Sequence, residues 1–211
     1  KWHYQFIHHD IWDWDVPSAP LITDLPNGRK VVMSVTKQSW VYTFDRETGE
    51  PIWPIVEREV PAGDVPGEWY SPTQPFPTHP APFDRQGFTE DDLIDFTPEL
   101  RAMALEAVKD FRLSPSIYTP PSLADAPDGT RGLLSLPSST GGSNWEGSAL
   151  DPETGILYVP SRTQLQVLAL AKNEESDIDL SQGFGVRVPR IQGLEVVKPP
   201  YGRITAIDMN S

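Results

Sequence analysis

Alternating apolar residues flank the same short turn signal twice in this chain. Val41-Tyr-Thr-Phe-Asp45 runs into Arg-Glu-Thr48-Gly49 and out through Glu-Pro-Ile-Trp53, while Ala149-Leu-Asp151 runs into Pro-Glu-Thr154-Gly155 and out through Ile-Leu-Tyr158-Val159. Each reads as a β-hairpin in which the Asp accepts hydrogen bonds from the turn backbone and the Gly supplies a positive φ. Partial copies stand at both ends. Ile204-Thr-Ala206-Ile207-Asp208 repeats the strand and its Asp, with Ser211 at the Thr position, and Trp2 matches the closing aromatic of a copy whose Asp would precede residue 1. Asp45 and Asp151 are 106 residues apart and Asp151 and Asp208 are 57 apart. The expected period is therefore about fifty residues, the wide interval holding two periods or one with a long insertion. Short strands at that period fit four-stranded propeller blades better than a sandwich. The pattern predicts an all-β chain, residues 1–211 forming a single partial propeller of about four blades.

Residues 54–140 break the pattern and read as a loop-rich insertion with one or two short helices. Pro54 to Pro82 is studded with proline and predicts an extended surface loop. One helix is well signalled: Thr97 as N-cap, Pro98 at the first helical position, then Leu100, Met103, Ala104, Ala107, Val108 and Phe111 on one face. Residues 119–143 return to loop. The segment from Asn173 to Leu180 is acidic and predicted exposed, and Gly183 to Tyr201 is a strand region punctuated by glycine and proline.

Composition narrows the partners. With 23 prolines in 211 residues, an all-helical bundle is excluded. Thirty acidic against 17 basic side chains give a net charge of −13, a field that repels nucleic acid and anionic membrane surfaces. The absence of cysteine removes disulfides, thiolate metal sites and a thiol nucleophile. No apolar run approaches the ~20 residues that span a bilayer, and the first residues lack the order of a signal peptide.

Polar chemistry is densest in the first fifteen residues, which hold three His, three Asp and three Trp. Read as extended chain, His8 and Asp10 share one face and His9 takes the other. A histidine beside a carboxylate is a general base with its orienter, a metal site, or a satisfied polar pair at a strand end. The residues alone leave these alternatives open.

The sequence also resembles a known family. His8-His9-Asp10-Ile-Trp12-Asp13-x-Asp15-x-Pro17, followed by Thr36-Lys37-Gln38-x-Trp40 and the Asp45 to Gly49 turn, is similar to the pyrroloquinoline quinone (PQQ)-dependent quinoprotein dehydrogenases, in their membrane-bound glucose dehydrogenase-like branch. Tyr70-Ser-Pro-Thr-Gln-Pro-Phe76, Tyr118-Thr-Pro-Pro-Ser122 and Gly141-Gly-Ser-Asn144-Trp145-Glu-Gly147 resemble further stretches of that branch. The resemblance implies an eight-bladed propeller whose repeated hairpin is a tryptophan-docking motif, with Trp2, Trp40 and Trp53 as blade-packing residues.

Residue by residue, the resemblance makes Asp10 the catalytic base that takes a hydroxyl proton while hydride passes to the quinone, and a ligand of the bound cation. Lys37 matches a donor to the quinone oxygens, and Asn144 and Trp145 match a cofactor-contacting pair. His8 and His9 line the substrate pocket or orient Asp10. Trp12 stands where lanthanide-using relatives carry a further carboxylate, which favours calcium or magnesium. The implied function is oxidation of a sugar or polyol, with electrons passing to a quinone or cytochrome acceptor in the bacterial periplasm and any membrane attachment lying outside these residues. Three readings follow: a piece of a complete ring, a half ring that closes with a second copy or a complementary chain, and a non-catalytic propeller module that binds carbohydrate or a protein. Asp10 and Lys37 at the family's spacing argue against the third.

Overall fold

The computed structural model describes residues 1–172, 177–183 and 186–210. Its strands in chain order are β1 (Leu21–Asp24), β2 (Lys30–Val35), β3 (Val41–Asp45), β4 (Ile55–Glu59), β5 (Thr73–Pro77), β6 (Arg112–Leu113), β7 (Ser122–Leu123), β8 (Leu133–Ser135), β9 (Ala149–Asp151), β10 (Ile156–Arg162), β11 (Gln166–Lys172), β12 (Leu180–Gln182), β13 (Arg190–Ile191), β14 (Leu194–Glu195) and β15 (Gly202–Asp208). One helix, α1 (Pro98–Val108), and a 3₁₀ turn at Glu90–Asp92 complete the described elements. The expected preponderance of sheet with little helix holds.

Two antiparallel sheets have the same plan. β1, β2 and β3 are hydrogen-bonded in sequence order, and β9, β10 and β15 form the second sheet with β10 in the middle. The sheets face each other across a core that takes Val31, Met33, Val35 and Val41 from the first, Leu157 and Val159 from the second, and Met209 from just past β15. β3 alternates between two cores. Val41 faces this one, while Tyr42 and Phe44 face an aromatic cluster with Trp12, Trp14, Trp40 and Tyr118. A third, mixed sheet runs β12-β11-β8-β6, with β7 parallel to β11. It supplies Leu133 and Leu168 to the aromatic cluster and Leu134 and Val167 to the core under α1.

The two turns form as their residues dictate. Asp45 Oδ1 accepts from the backbone N–H of Glu47 and Thr48, both at 2.9 Å, and Gly49 has φ +81°. Asp151 accepts from Glu153 N at 3.0 Å and Thr154 Oγ1 at 2.7 Å, with Gly155 at φ +73°. Their places in the sheets differ. Asp45 and Asp208 end the third strand of a sheet in chain order, whereas Asp151 ends the first, so the same turn signal serves two positions. After Gly49 the chain makes a single bridge, Phe44 to Pro51, in place of a strand. Trp2 lies over that turn, its indole N–H donating to Arg46 O at 3.3 Å and its ring so close to Gly49 that a Cβ there would meet it at 2.5 Å. Trp40 is buried in the aromatic cluster, and Trp53 packs, half-buried, against the core of the two facing sheets.

The insertion is more ordered than its prolines imply. Residues 54–82, expected as loop, contain the β4–β5 ribbon; Pro75 and Pro77 are tolerated because a two-stranded ribbon leaves alternate N–H positions unpaired. Residues 119–143 supply β7 and β8, where buried Leu133 and Leu134 outweigh the turn residues around them. Thr97 caps α1 by accepting from Leu100 N at 3.2 Å, and Ala104 and Val108 are buried with Leu100, Ala107 and Phe111 packed beside them. Met103 departs from the predicted stripe and is exposed. Between Gly183 and Tyr201 the described strands are the short β13–β14 ribbon and the start of nothing longer before β15. Asp177 to Asp179 are exposed as predicted; residues 173–176 and Ser211 lie outside the described residues.

Candidate functional site

Residues 8–15 turn where extended chain was expected. Asp10 Oδ1 accepts from Trp12 N at 3.0 Å and Oδ2 from Trp14 N at 2.5 Å, so one carboxylate draws two successive alternate amides around itself. His9 and Asp13 take positive φ values of 45° and 65°. The turn is pinned from below by two indoles stacked at 5.4 Å. Trp12 Nε1 donates to Thr119 O at 2.8 Å and Trp14 Nε1 to Ser138 O at 3.2 Å, both rings being buried.

Asp10, Asp13, His9 and Glu68 line a cavity of about 520 Å³, whose opposite wall is Leu168 to Leu170 of β11 and the β12 strand. Asp10 as a residue keeps solvent exposure, but its carboxyl is crowded by protein atoms. That desolvation raises its pKa above the ordinary carboxylate value. The Trp12 and Trp14 amides oppose the rise, Asp13 adds to it, and the Lys37 ammonium opposes it.

Lys37 is held in the β2–β3 turn with its side chain 7% exposed. Its Nζ donates to Asp15 Oδ1 at 2.5 Å and Asp13 O at 2.8 Å, and Asp13 Oδ2 lies at 3.5 Å. Gly141 and Gly142 are laid over it. Gly142 N donates to Lys37 O at 2.9 Å, and a Cβ on Gly141 would come within 2.5 Å of Lys37 Cγ. Asp10 and Lys37 are thus joined through the 13–15 segment, which sequence reasoning did not assign a role.

Asn144 and Trp145 close the same glycine loop but line a separate cavity of about 240 Å³ with Arg162. Asn144 Nδ2 donates to Thr140 O at 2.6 Å and its Oδ1 accepts Trp145 N at 2.7 Å, while the Trp145 ring is 80% exposed. Within this chain they do not share the Asp10 cavity.

Neither histidine orients Asp10, which its own turn amides hold. His8 Nε2 is 2.9 Å from Glu57 Oε1, and buried Gln74 clamps the His8 backbone from both sides, accepting from its N–H and donating to its carbonyl. His9 Nε2 is 2.9 Å from Glu68 Oε1 and its ring meets Trp69 edge-on at 4.6 Å. Of the two, His9 lines the cavity. Glu57, Glu68 and Gln74 lie 49 to 66 residues from their partners, so no local signal marked them.

In hydrogen-bonding capacity Lys37, Asn144 and Trp145 suit a planar, carboxylated quinone, although they line no common cavity with Asp10 among the described residues. Lys37 and Asn144 each keep a polar hydrogen beyond their two and one donated bonds, and Trp145 offers an open ring face. For a cation the fit is partial: among the described residues no three His, Asp or Glu side chains cluster tightly enough to hold one.

The whole chain, residues 1–211, matches the family described as PQQ glucose/ethanol/alcohol dehydrogenase, β-propeller domain. It is 30% identical over 236 residues to quinate/shikimate dehydrogenase (quinone) of Acinetobacter baylyi, covering all of this chain and 28% of that protein. It is 33% identical over 241 residues to the quinoprotein glucose dehydrogenase of Escherichia coli, again covering all of this chain and 28% of the relative. With the glycerol dehydrogenase large subunit of Gluconobacter thailandicus the identity is 29%, over 99% of this chain and 32% of that protein. The chain spans under a third of the length of these relatives. It belongs to the PQQ-dependent glucose/ethanol/alcohol dehydrogenase β-propeller family.

Proposed function

We propose that this chain builds one wall of the active site of a quinoprotein that oxidises a sugar or polyol hydroxyl, with Asp10 as the general base. The observation that carries the reading is Asp10 itself, a carboxylate fixed by two backbone amides at the mouth of a cavity, with its basicity raised by crowding. PQQ, when bound, supplies an electrophilic carbonyl that accepts a hydride. Asp10 takes the hydroxyl proton on an oxygen that still has a free lone pair, because each oxygen accepts only one turn amide. Lys37, Asn144 and Trp145 contact the cofactor: the ammonium places positive charge where negative charge develops, and the amide and indole fix the ring. Asp10 also contributes one ligand to a calcium or magnesium ion whose remaining ligands come from outside this chain.

The complete ring has eight blades, about four of them built from this segment and stapled by tryptophan contacts of the kind Trp2 makes with the Asp45 turn. It closes with further chain of the same protein, a second copy or a complementary chain. Electrons leave to a quinone or a cytochrome, a reading supported by relatives named quinate/shikimate dehydrogenase (quinone) and lupanine 17-hydroxylase [cytochrome c]. On this reading the enzyme works in the bacterial periplasm.

The test is Asp10→Asn in the full-length enzyme loaded with PQQ and calcium. Asn keeps one turn bond, so cofactor affinity is expected to stay within a few-fold while turnover drops by about 10²–10⁴-fold. Turnover near the parent value overturns the assignment of the base.

A further inference from the structure

The turn that presents Asp10 is entered through His9, whose φ is +45°. Beyond that residue the Asp10 carboxylate organises the chain itself, through the Trp12 and Trp14 amides. Before it, His8 belongs to none of the described strands, and its peptide groups are held by a side chain instead. Gln74 Oε1 accepts from His8 N at 2.8 Å, and Gln74 Nε2 donates to His8 O at 2.7 Å. One primary amide thus serves the donor and the acceptor of a single residue, the two-bond exchange that a neighbouring antiparallel strand would otherwise give.

Gln74 is itself firmly placed. It lies on β5 at 0% exposure, 66 residues from His8 in the chain. The next residue, Pro75, accepts from the buried Tyr42 hydroxyl of β3 at 2.9 Å, and Phe76 packs its ring against Trp40 and Tyr118 at 5.4 and 5.3 Å. The clamp is therefore an extension of the aromatic core to the backbone two residues before Asp10. The ion pair beside it, His8 with Glu57, is 33% and 51% exposed and fixes the imidazole ring, not the main chain. His9, the one residue between the clamp and Asp10, sits in the small left-handed region, so the link has little slack. We infer that Gln74 is a positioning residue for the oxidation: by fixing the His8 peptide groups it sets where the Asp10 carboxylate stands relative to the reacting hydroxyl. The inference rests on the reading that Asp10 is the general base.

The experiment uses the full-length enzyme loaded with PQQ and calcium, with glucose and glycerol as substrates. Gln74→Met keeps an unbranched side chain of similar size and removes both bonds to His8. Displacement of a reacting group by ~1 Å costs about 10²-fold, so kcat should fall by about 10–100-fold while KM and PQQ affinity stay within a few-fold. Tyr42→Phe, which frees Pro75 but keeps the ring, should lower kcat in the same direction by about 2–5-fold. The decisive comparison repeats each change in the Asp10→Asn background, reading the rate of PQQ reduction by absorbance. With the base removed its placement no longer matters, so the further loss should be under about 2-fold, whereas general loosening of the fold would carry over undiminished. A PQQ-binding Gln74→Met enzyme with parental kcat, or equal losses in the two backgrounds, overturns the assignment. If Gln74→Met fails to bind PQQ, the same comparison on Tyr42→Phe decides. Slow turnover in Asp10→Asn with equal losses removes Gln74 alone, while near-parental turnover in Asp10→Asn removes the base and this inference with it.

Discussion

Asp10 carries two demands on one carboxylate. It organises the 10–14 turn by accepting two amides, which stabilises its charged form, and it is crowded at the cavity mouth, which favours the neutral form. Crowding prevails, and the pKa is raised. A base must be ionised to act, so the acid limb of the kcat/KM profile should lie above the ~3.9 of an unperturbed aspartate. The neighbours set its direction of movement. Lys37 lowers the Asp10 pKa and Asp13 raises it, so Lys37→Ala should move the acid limb to higher pH and slow cofactor reduction, while Asp13→Asn should move it lower. A pH profile of the full-length variants checks both signs, and an acid limb that Lys37→Ala leaves in place counts against coupling through the 13–15 segment. The composition of residues 8–15 announced chemistry here but hid its geometry. Extended chain was the default reading, and only the three-dimensional closure of Asp10 on Trp12 and Trp14 shows why Asp stands there and why His8 and His9 face glutamates instead.

At the scale of elements, local chemistry was legible wherever a side chain acts on its own backbone. The Thr97 cap, Pro98 at the first helical position and the Asp45 and Asp151 turns all form as their sequences imply. Thr97→Ala is expected to lower stability by about 0.5–2 kcal/mol, read by denaturant unfolding. The turn carboxylates of Asp45, Asp151 and Asp208 have lowered pKa values because backbone or side-chain donors of their own turns favour the ionised form. Groups of that kind contribute stability above their unfolded pKa that is lost as pH falls through the folded one. Unfolding should therefore become easier as pH drops below about 4, and Asp45→Asn should flatten that dependence. What escaped the sequence was pairing at long range. β5 carries two prolines in five residues, and β8 is three residues long, so neither has a periodicity to read; each exists because Phe76 or Leu133 reaches the aromatic cluster. The glycine loop is a further case. Gly141 has φ +80° and leaves no room for a Cβ against Lys37, whereas Gly147, at φ +69°, has its nearest neighbour at 3.6 Å. Gly141→Ala should weaken PQQ binding by about 10-fold or more by displacing Lys37, and Gly147→Ala should cost only the ~1 kcal/mol of a positive φ. Equal losses in a PQQ titration would show that the loop does not act through Lys37.

For the whole molecule, the second of the two facing sheets carries apolar residues that are exposed among the described residues. On the outer face of the second sheet Ile204 is 73% exposed and Tyr158 is 42% exposed, and the register sets Ile204 opposite Pro160 and Tyr158 opposite Ala206. The inner face of the same strands is buried in the core with Val31 and Met33. A strand with apolar residues on both faces is the pattern of a sheet covered on both sides, as in a stack of blades. The chain spans under a third of the length of its relatives, so the rest of such a ring has the chain to cover that face. The consequence is measurable in the full-length protein. Ile204→Asp on a solvated face changes stability by no more than about 0.5 kcal/mol. On a face buried against the next blade it strands a charge and removes an apolar contact, which costs about 3 kcal/mol or more. We expect the larger loss, visible as a lower unfolding midpoint and, on the proposal that a closed ring completes the site of Asp10 and Lys37, as weaker PQQ binding in the same sample. A full-length Ile204→Asp variant with parental stability would place that sheet at the rim and require a ring closed through other surfaces.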